Sequence, residues 1–387
     1  MLAQTTLRGT EYVPALNGHG LIALGETSKP LLSYGYQLGA GWDSSNLDGS
    51  SALITASPYV TVQSVLAANE FIVQYSPTFT KYSAANYVGG NLQRGSATIL
   101  GTINPRWRWN AGTTIAYGQD SLQTIAPTQT VVVGDIAAVS PDAAIYLANA
   151  GVGTYINVGT GFTYLRSERD AIDVQLGEGY SHFTGINGDT NVASAQVNYV
   201  HNVSPTLSVS PYLQILESTG YISCTSVGGG AGLNWQVGER TGIALSAGPQ
   251  ISTKGCGTLV SYVFSAALNT QLSKVSQLYL MAGRQFSSPY LGPGVWENTA
   301  GAGYQRMLGS ATAATLDLSY AGSTGAGSAY NYSGVFLGAT IARTIGRAFS
   351  PSISYQRVMG NTGPSPFNLN TVLFSINWTS NTTPLIR

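Results

Sequence analysis

Alternation of apolar and polar residues at period two runs through nearly the whole chain, and no apolar run is long enough for a membrane-spanning helix. In residues 207–215, Leu207, Val209, Pro211, Leu213 and Ile215 share one face, and Ser208, Ser210, Tyr212 and Gln214 share the other. Such a strand has one apolar and one polar side. A soluble sandwich or propeller would bury the apolar side and cover the other with charge. Only 9% of this chain is Asp, Glu, Lys or Arg, against roughly 25% in an ordinary soluble domain. A barrel with lipid outside and water inside needs few charges, and that is the architecture the pattern predicts.

The turns give the count. Short turn signals stand at Ala67-Ala68-Asn69, Arg106-Trp107-Arg108, Ser167-Glu168-Arg169, Asn202-Val203-Ser204, Gly238-Glu239-Arg240, Lys274-Val275-Ser276, Gly309-Ser310-Ala311 and Gly346-Arg347. Neighbouring signals are roughly 34 to 39 residues apart, with one gap of about 60, which is a repeat signature. Longer Gly/Ser/Asn/Pro-rich connections alternate with them, at 44–51, 84–90, 185–190, 287–294, 322–330 and 360–366. One period therefore reads strand, long loop, strand, tight turn. The expectation is an all-β, antiparallel, up-and-down transmembrane barrel of about 18 strands, with short periplasmic turns and longer extracellular loops. Residues 31–380 form it, 1–30 are a periplasmic lead-in, and 381–387 are a short tail. The wide gap holds a long insertion at 123–150, expected to fold into the lumen or over its mouth with a short helix at 141–150.

The phase of alternation assigns faces. Phe71, Val73, Tyr75, Pro77 and Phe79 oppose Glu70, Ile72, Gln74 and Ser76, and Ile172, Val174 and Leu176 oppose Asp173 and Gln175. The lipid phase continues into Lys81, Glu178, Glu217, Arg284 and Arg357 near the outer strand ends, where a charge costs little. Trp107, Trp109, Trp235, Trp296, Tyr330, Tyr332 and Trp378 lie near strand ends, as interfacial girdles would. The water-facing phase is mostly Ser, Thr, Gln, Asn and Gly. Its candidate lumen-lining residues are Tyr59, Glu70, Arg94, Asp173, Tyr212, Arg240, Tyr279, Glu297 and Asp317.

Other classes find little support. The formal net charge is zero, so no basic footprint points to nucleic acid. There is no Gly-x-Ser-x-Gly elbow and no completed Gly-x-Gly-x-x-Gly, and His19, His182 and His201 are scattered. No enzyme activity, metal or cofactor is expected. Cys224 and Cys256 fall on consecutive outer loops, so a disulfide between them is expected in an oxidising compartment. No secretory signal is visible at the start, although Leu2-Ala3-Gln4 looks like the end of a cleavage site and suggests a signal already removed.

The run Tyr34-Gly35-Tyr36-Gln37-Leu38-Gly39-Ala40-Gly41-Trp42-Asp43-Ser44-Ser45-Asn46, the Ser57-Pro58-Tyr59 strand and the closing Asn370-Thr371-Val372-Leu373-Phe374-Ser375-Ile376-Asn377-Trp378 resemble the bacterial "beta-barrel porin 2"-type family. The resemblance covers roughly residues 31 to 380 and implies a Gram-negative outer-membrane barrel, of a family some of whose members occur with exopolysaccharide systems. Unlike barrels that end on a terminal Phe, this chain continues for nine residues after Trp378. The expected function is passive passage of small polar or neutral solutes through a water-filled lumen, with outer-membrane lipid and lipopolysaccharide as surroundings. Two alternatives stay open: an exopolysaccharide-export or surface-assembly barrel acting with partners, possibly binding polysaccharide, and a plugged structural scaffold.

Overall fold

Strands in this chain end where alternation meets Gly, Pro, Asn or Ser, which favour turns. The computed structural model describes residues 12–14, 31–46, 49–66, 69–85, 89–119, 129–133, 136–140, 152–183, 189–220, 223–253, 259–286, 295–325, 332–346, 348–362, 365–380 and 383–384. Eighteen spanning strands form the barrel. They are β1 (Leu31–Ser45), β2 (Gly49–Leu66), β3 (Asn69–Tyr75 and Thr78–Tyr82), β4 (Gly90–Asn104), β5 (Trp107–Gln119) and β6 (Gly153–Leu165). Then come β7 (Asp170–Phe183), β8 (Thr190–Ser204), β9 (Leu207–Thr219), β10 (Cys224–Val237), β11 (Thr241–Thr253) and β12 (Leu259–Ser273). The last six are β13 (Ser276–Phe286), β14 (Val295–Met307), β15 (Thr312–Gly325), β16 (Tyr332–Arg343), β17 (Phe349–Thr362) and β18 (Ser365–Thr379).

Each strand pairs antiparallel with the next, and β18 closes on β1 through pairs such as Tyr36↔Trp378 and Gly39↔Ser375. The sheet is closed, so no edge is left unpaired, which is the condition for a sheet in lipid. Thr383–Pro384 adds two further pairs to the start of β1. β3 is in two pieces because Pro77 has no N–H to give to the ladder. The described tight turns fall at or beside the predicted places, with the turn after β8 just beyond Ser204, and Gly238 supplies the positive φ of +66° that the turn after β10 requires. Residues 67–68 and Arg347, at two of those turns, lie outside the described residues.

The two faces invert the order of a soluble protein. On β9 the exposed residues are Pro211, Leu213, Ile215, Glu217 and Thr219, with Leu213 70% exposed, while Tyr212, Gln214 and Ser218 point inward. On β7 Leu176 is exposed and Asp173 is buried. Removing this apolar exterior from water requires a membrane. Tyr36 stacks on Trp378 at 5.5 Å, and Trp107 packs on Tyr164 at 4.7 Å, all near the tight-turn end. Trp42, Tyr117 and Tyr262 are exposed near the loop end. Two aromatic girdles result. Trp296 departs from the girdle expectation. It is 5% exposed, clustered with Cys224 and Val263, with the Arg284 guanidinium carbon 5.0 Å from its ring centroid.

The insertion between β5 and β6 contributes two described strands, Gln129–Val133 and Ile136–Ser140, which form a hairpin. Tyr12–Pro14 adds a third strand to it. This small sheet is separate from the barrel ladder, and Ile136–Ser140 runs along β12, β13, β14 and β15. The short helix expected at 141–150 and the rest of 1–30 lie outside the described residues.

Candidate functional site

The inward face of the closed barrel is the candidate site. Its polarity follows from the second phase of the alternation, which carries Ser, Thr, Gln and Asn around the ring. Cross-strand register places these side chains side by side, and they hydrogen-bond to one another. Ser246 on β11 meets Ser265 on β12 at 2.7 Å, and Ser352 on β17 meets Ser375 on β18 at 2.7 Å. Gln250 donates to Ser226 Oγ at 2.7 Å, and Gln277 donates to Asn269 Oδ1 at 2.6 Å.

The charged members are held within this network. Asp173 is buried and accepts from Thr163 Oγ1 at 3.0 Å, Gln175 Nε2 at 2.9 Å and Asn198 Nδ2 at 3.4 Å, so its desolvated carboxylate is paired from its own strand and from both neighbouring strands. Glu70 accepts from Gln63 Nε2 at 3.2 Å. Tyr279 on β13 reaches across Gly303 on β14 and donates to Asp317 on β15. A Cβ on Gly303 would overlap the Tyr279 ring, so only glycine leaves that path open. Tyr59 lies over Gly35 in the same manner and donates to Thr379 Oγ1 at 2.7 Å.

Register puts Tyr59, Glu70, Arg94, Asp173, Tyr212, Tyr279 and Asp317 on the inward phase. They are spread around the ring on β2, β3, β4, β7, β9, β13 and β15, and a hydrogen bond joins Tyr279 to Asp317. Arg240 lies elsewhere: it sits in the tight turn after β10 and is exposed, at the mouth of the barrel and not on its wall. Glu297 falls on the inward register of β14, opposite Gln285, and its side chain lies outside the described set. Two inward charges escaped the sequence reading. Asp43 is fully buried beside Thr371 and Tyr82, and Arg108 pairs in register with Thr102 and Thr163. Arg108 falls within a turn signal of the sequence, whereas Asp43 continues the phase Gly35, Gln37, Gly39, Gly41, and that continuation was the available signal.

Cys224 is buried at the start of β10, and among the described residues there is no free cysteine. Cys256 lies outside the described residues. The histidines with described side chains sit far from the wall networks. His201 Nδ1 lies 2.9 Å from Asp170 at a tight turn, and His182 Nδ1 lies 2.5 Å from Asp189 at the loop end. The Asp189 carboxyl is held below the ordinary carboxylate range by its hydrogen bonds with His182 and Tyr180. Among the described residues no three His, Cys, Asp or Glu side chains converge as a metal site would need.

No family model and no curated protein matches this sequence. Solved structures do. OccAB4 of Acinetobacter baumannii matches with a TM-score of 0.50 and 9% identity, covering 92% of this chain and 99% of that one. A BenF-like porin from Pseudomonas fluorescens Pf-5 matches with a TM-score of 0.50 and 8% identity, over the same shares. The fold is the closed antiparallel barrel of these structures. At such low identity the likeness speaks for architecture alone, and the barrel's chemistry in this chain is that of its own wall.

Proposed function

We propose that this chain is an outer-membrane channel that passes small polar or neutral solutes passively. The observation that carries the reading is the inverted barrel: a closed 18-strand wall with an exposed apolar exterior and a hydrogen-bonded inner lining of hydroxyls and amides. Such a lining replaces part of a polar solute's hydration and gives nothing to an apolar one. Glu70, Arg94, Asp173 and Asp317 contribute charges scattered in position and mixed in sign. Selectivity therefore follows size and hydrogen bonding, with a modest bias toward cations from the excess of inward carboxylates.

Several features support the finer reading. Outer-membrane lipid and lipopolysaccharide fit the exterior, where Lys81, Glu178 and Glu217 are exposed on the lipid phase near the loop end. The resemblance to the beta-barrel porin 2 type extends over the same residues that form the barrel. The insertion narrows the path, because its second strand runs along β12 to β15.

Single-channel recording in planar bilayers tests the proposal. Stable ohmic steps that carry small ions and are blocked by larger neutral sugars are expected. A purified, folded barrel that never conducts would reject the porin reading in favour of a plugged scaffold or an exporter that needs partners.

A further inference from the structure

The first described strand of the chain is in an unexpected place. Tyr12–Pro14 pairs antiparallel with Gln129–Val133, in the register Tyr12↔Val131, Val13↔Thr130 and Pro14↔Gln129. The two segments enter from opposite ends of the barrel. The chain reaches β1 at Leu31, which pairs with Gln63 near the tight-turn end. The insertion leaves β5 at Gln119, which pairs with Asn91 at the loop end. They meet only if at least one of them travels along the barrel axis.

The chain is long enough. The 16 residues between Pro14 and Leu31 can span at most about 55 Å at about 3.5 Å each. A wall of 13 to 15 residues per strand, tilted by about 40°, is roughly 35 Å tall.

The contacts of the small sheet place it inside. Ile136–Ser140 runs along β12, β13, β14 and β15. From the β5–β6 connection to the middle of that group is eight strand positions in a ring of 18, close to diametrically opposite. An insertion lying outside would have to carry a sheet with two open edges through lipid, leaving unpaired N–H and C=O groups there. Across the lumen, water or wall side chains meet those groups.

We propose that residues 12–14 lie within the lumen as a latch. Residues 12–14 complete the insertion's sheet and hold it against the β12–β15 wall, so the channel's opening is set from its own first residues. The inference rests on the channel reading for its consequence, but not for the position of the latch. With the latch paired, the insertion spans the lumen and current is low. With the latch released, the insertion loses one edge strand and frees the path.

The test uses the full chain carrying Val13→Cys and Thr130→Cys. Directly opposed antiparallel residues have Cα atoms about 4.5–5.5 Å apart, within the range a disulfide bridges. Oxidation should join residues 13 and 130 in membrane-inserted protein, as read by peptide mass spectrometry, and should hold the channel in its low-current state until a reductant is added. A second variant lacking residues 1–20 should conduct about twofold more or better, with fewer closures. A folded barrel that forms no 13–130 link overturns the latch, whatever its conductance. A link without any current from any variant supports the latch's position and rejects the channel reading. Equal conductance of the oxidised, reduced and truncated proteins overturns the gating role.

Discussion

Tyr279 donates its hydroxyl proton to Asp317 across the glycine that separates their strands. The Tyr279 ring covers Gly303, and the carboxylate on β15 receives the only described hydroxyl that reaches it from β13. Tyr279→Phe removes the donor and leaves a half-buried carboxylate less well paired, which should cost about 1–3 kcal/mol. Gly303→Ala should cost a similar amount or more by pushing the ring off its glycine. Denaturant-induced unfolding in lipid vesicles measures both. Wild-type stability in the two variants would show that the wall does not depend on this contact.

Leu176 and Leu213 face lipid, and Ser210 faces the lumen. Leu176→Arg and Leu213→Arg should each destabilise by about 2–4 kcal/mol at mid-bilayer depth, and less nearer an interface. Ser210→Arg should fold nearly as well as the parent and change conductance. If Ser210→Arg were the worst folder of the three, the faces would be reversed.

Glu70 and Asp173 stand on the inward phase of β3 and β7. Glu70 is the more open of the two and keeps one hydrogen bond, from Gln63. Glu70→Gln should lower cation preference, read as a shift of reversal potential in a salt gradient, with little change in stability. An unchanged reversal potential would place Glu70 away from the ion path.

Asp189 precedes β8 and is held by His182 and Tyr180. Its folded carboxyl lies below the ordinary aspartate range. A depressed carboxylate contributes stability that is present above the unfolded value and is lost as pH falls through the folded one. Loop-end structure around it should therefore hold throughout the neutral range and loosen only below the ordinary carboxylate range. Carboxyl NMR titration should give a midpoint below that of an ordinary aspartate, and His182→Ala should move it upward. A midpoint unaffected by His182→Ala would remove the pair as the cause.

Cys224 is buried, and the Cys224–Cys256 bridge remains the expectation for an exported protein. Closing a loop of about 30 residues should stabilise by roughly 3–4 kcal/mol in the chain-entropy model. Non-reducing mass spectrometry of never-reduced protein should find the two cysteine peptides joined. Two alkylatable thiols would reject the bridge.

Local chemistry made the barrel legible from sequence. Lipid and water act on alternate residues, so Leu207 to Ile215 and Phe71 to Phe79 carry their own faces, and turn residues such as Gly238 mark strand ends wherever the chain must reverse. The same phase put Tyr59, Glu70, Asp173, Tyr279 and Asp317 on one side of the wall without reference to any neighbour. What the residues share across strands was not written in them. That Tyr279 reaches Asp317 over Gly303 depends on register between β13, β14 and β15, which is fixed only when the ladder closes. Trp296 has the composition of a girdle residue, but packing against Cys224 and Val263 buries it. Tyr12–Pro14 read as a lead-in because nothing adjacent in sequence offers it a partner. The partner, Gln129–Val133, is more than a hundred residues away, and only the closed barrel brings the two together.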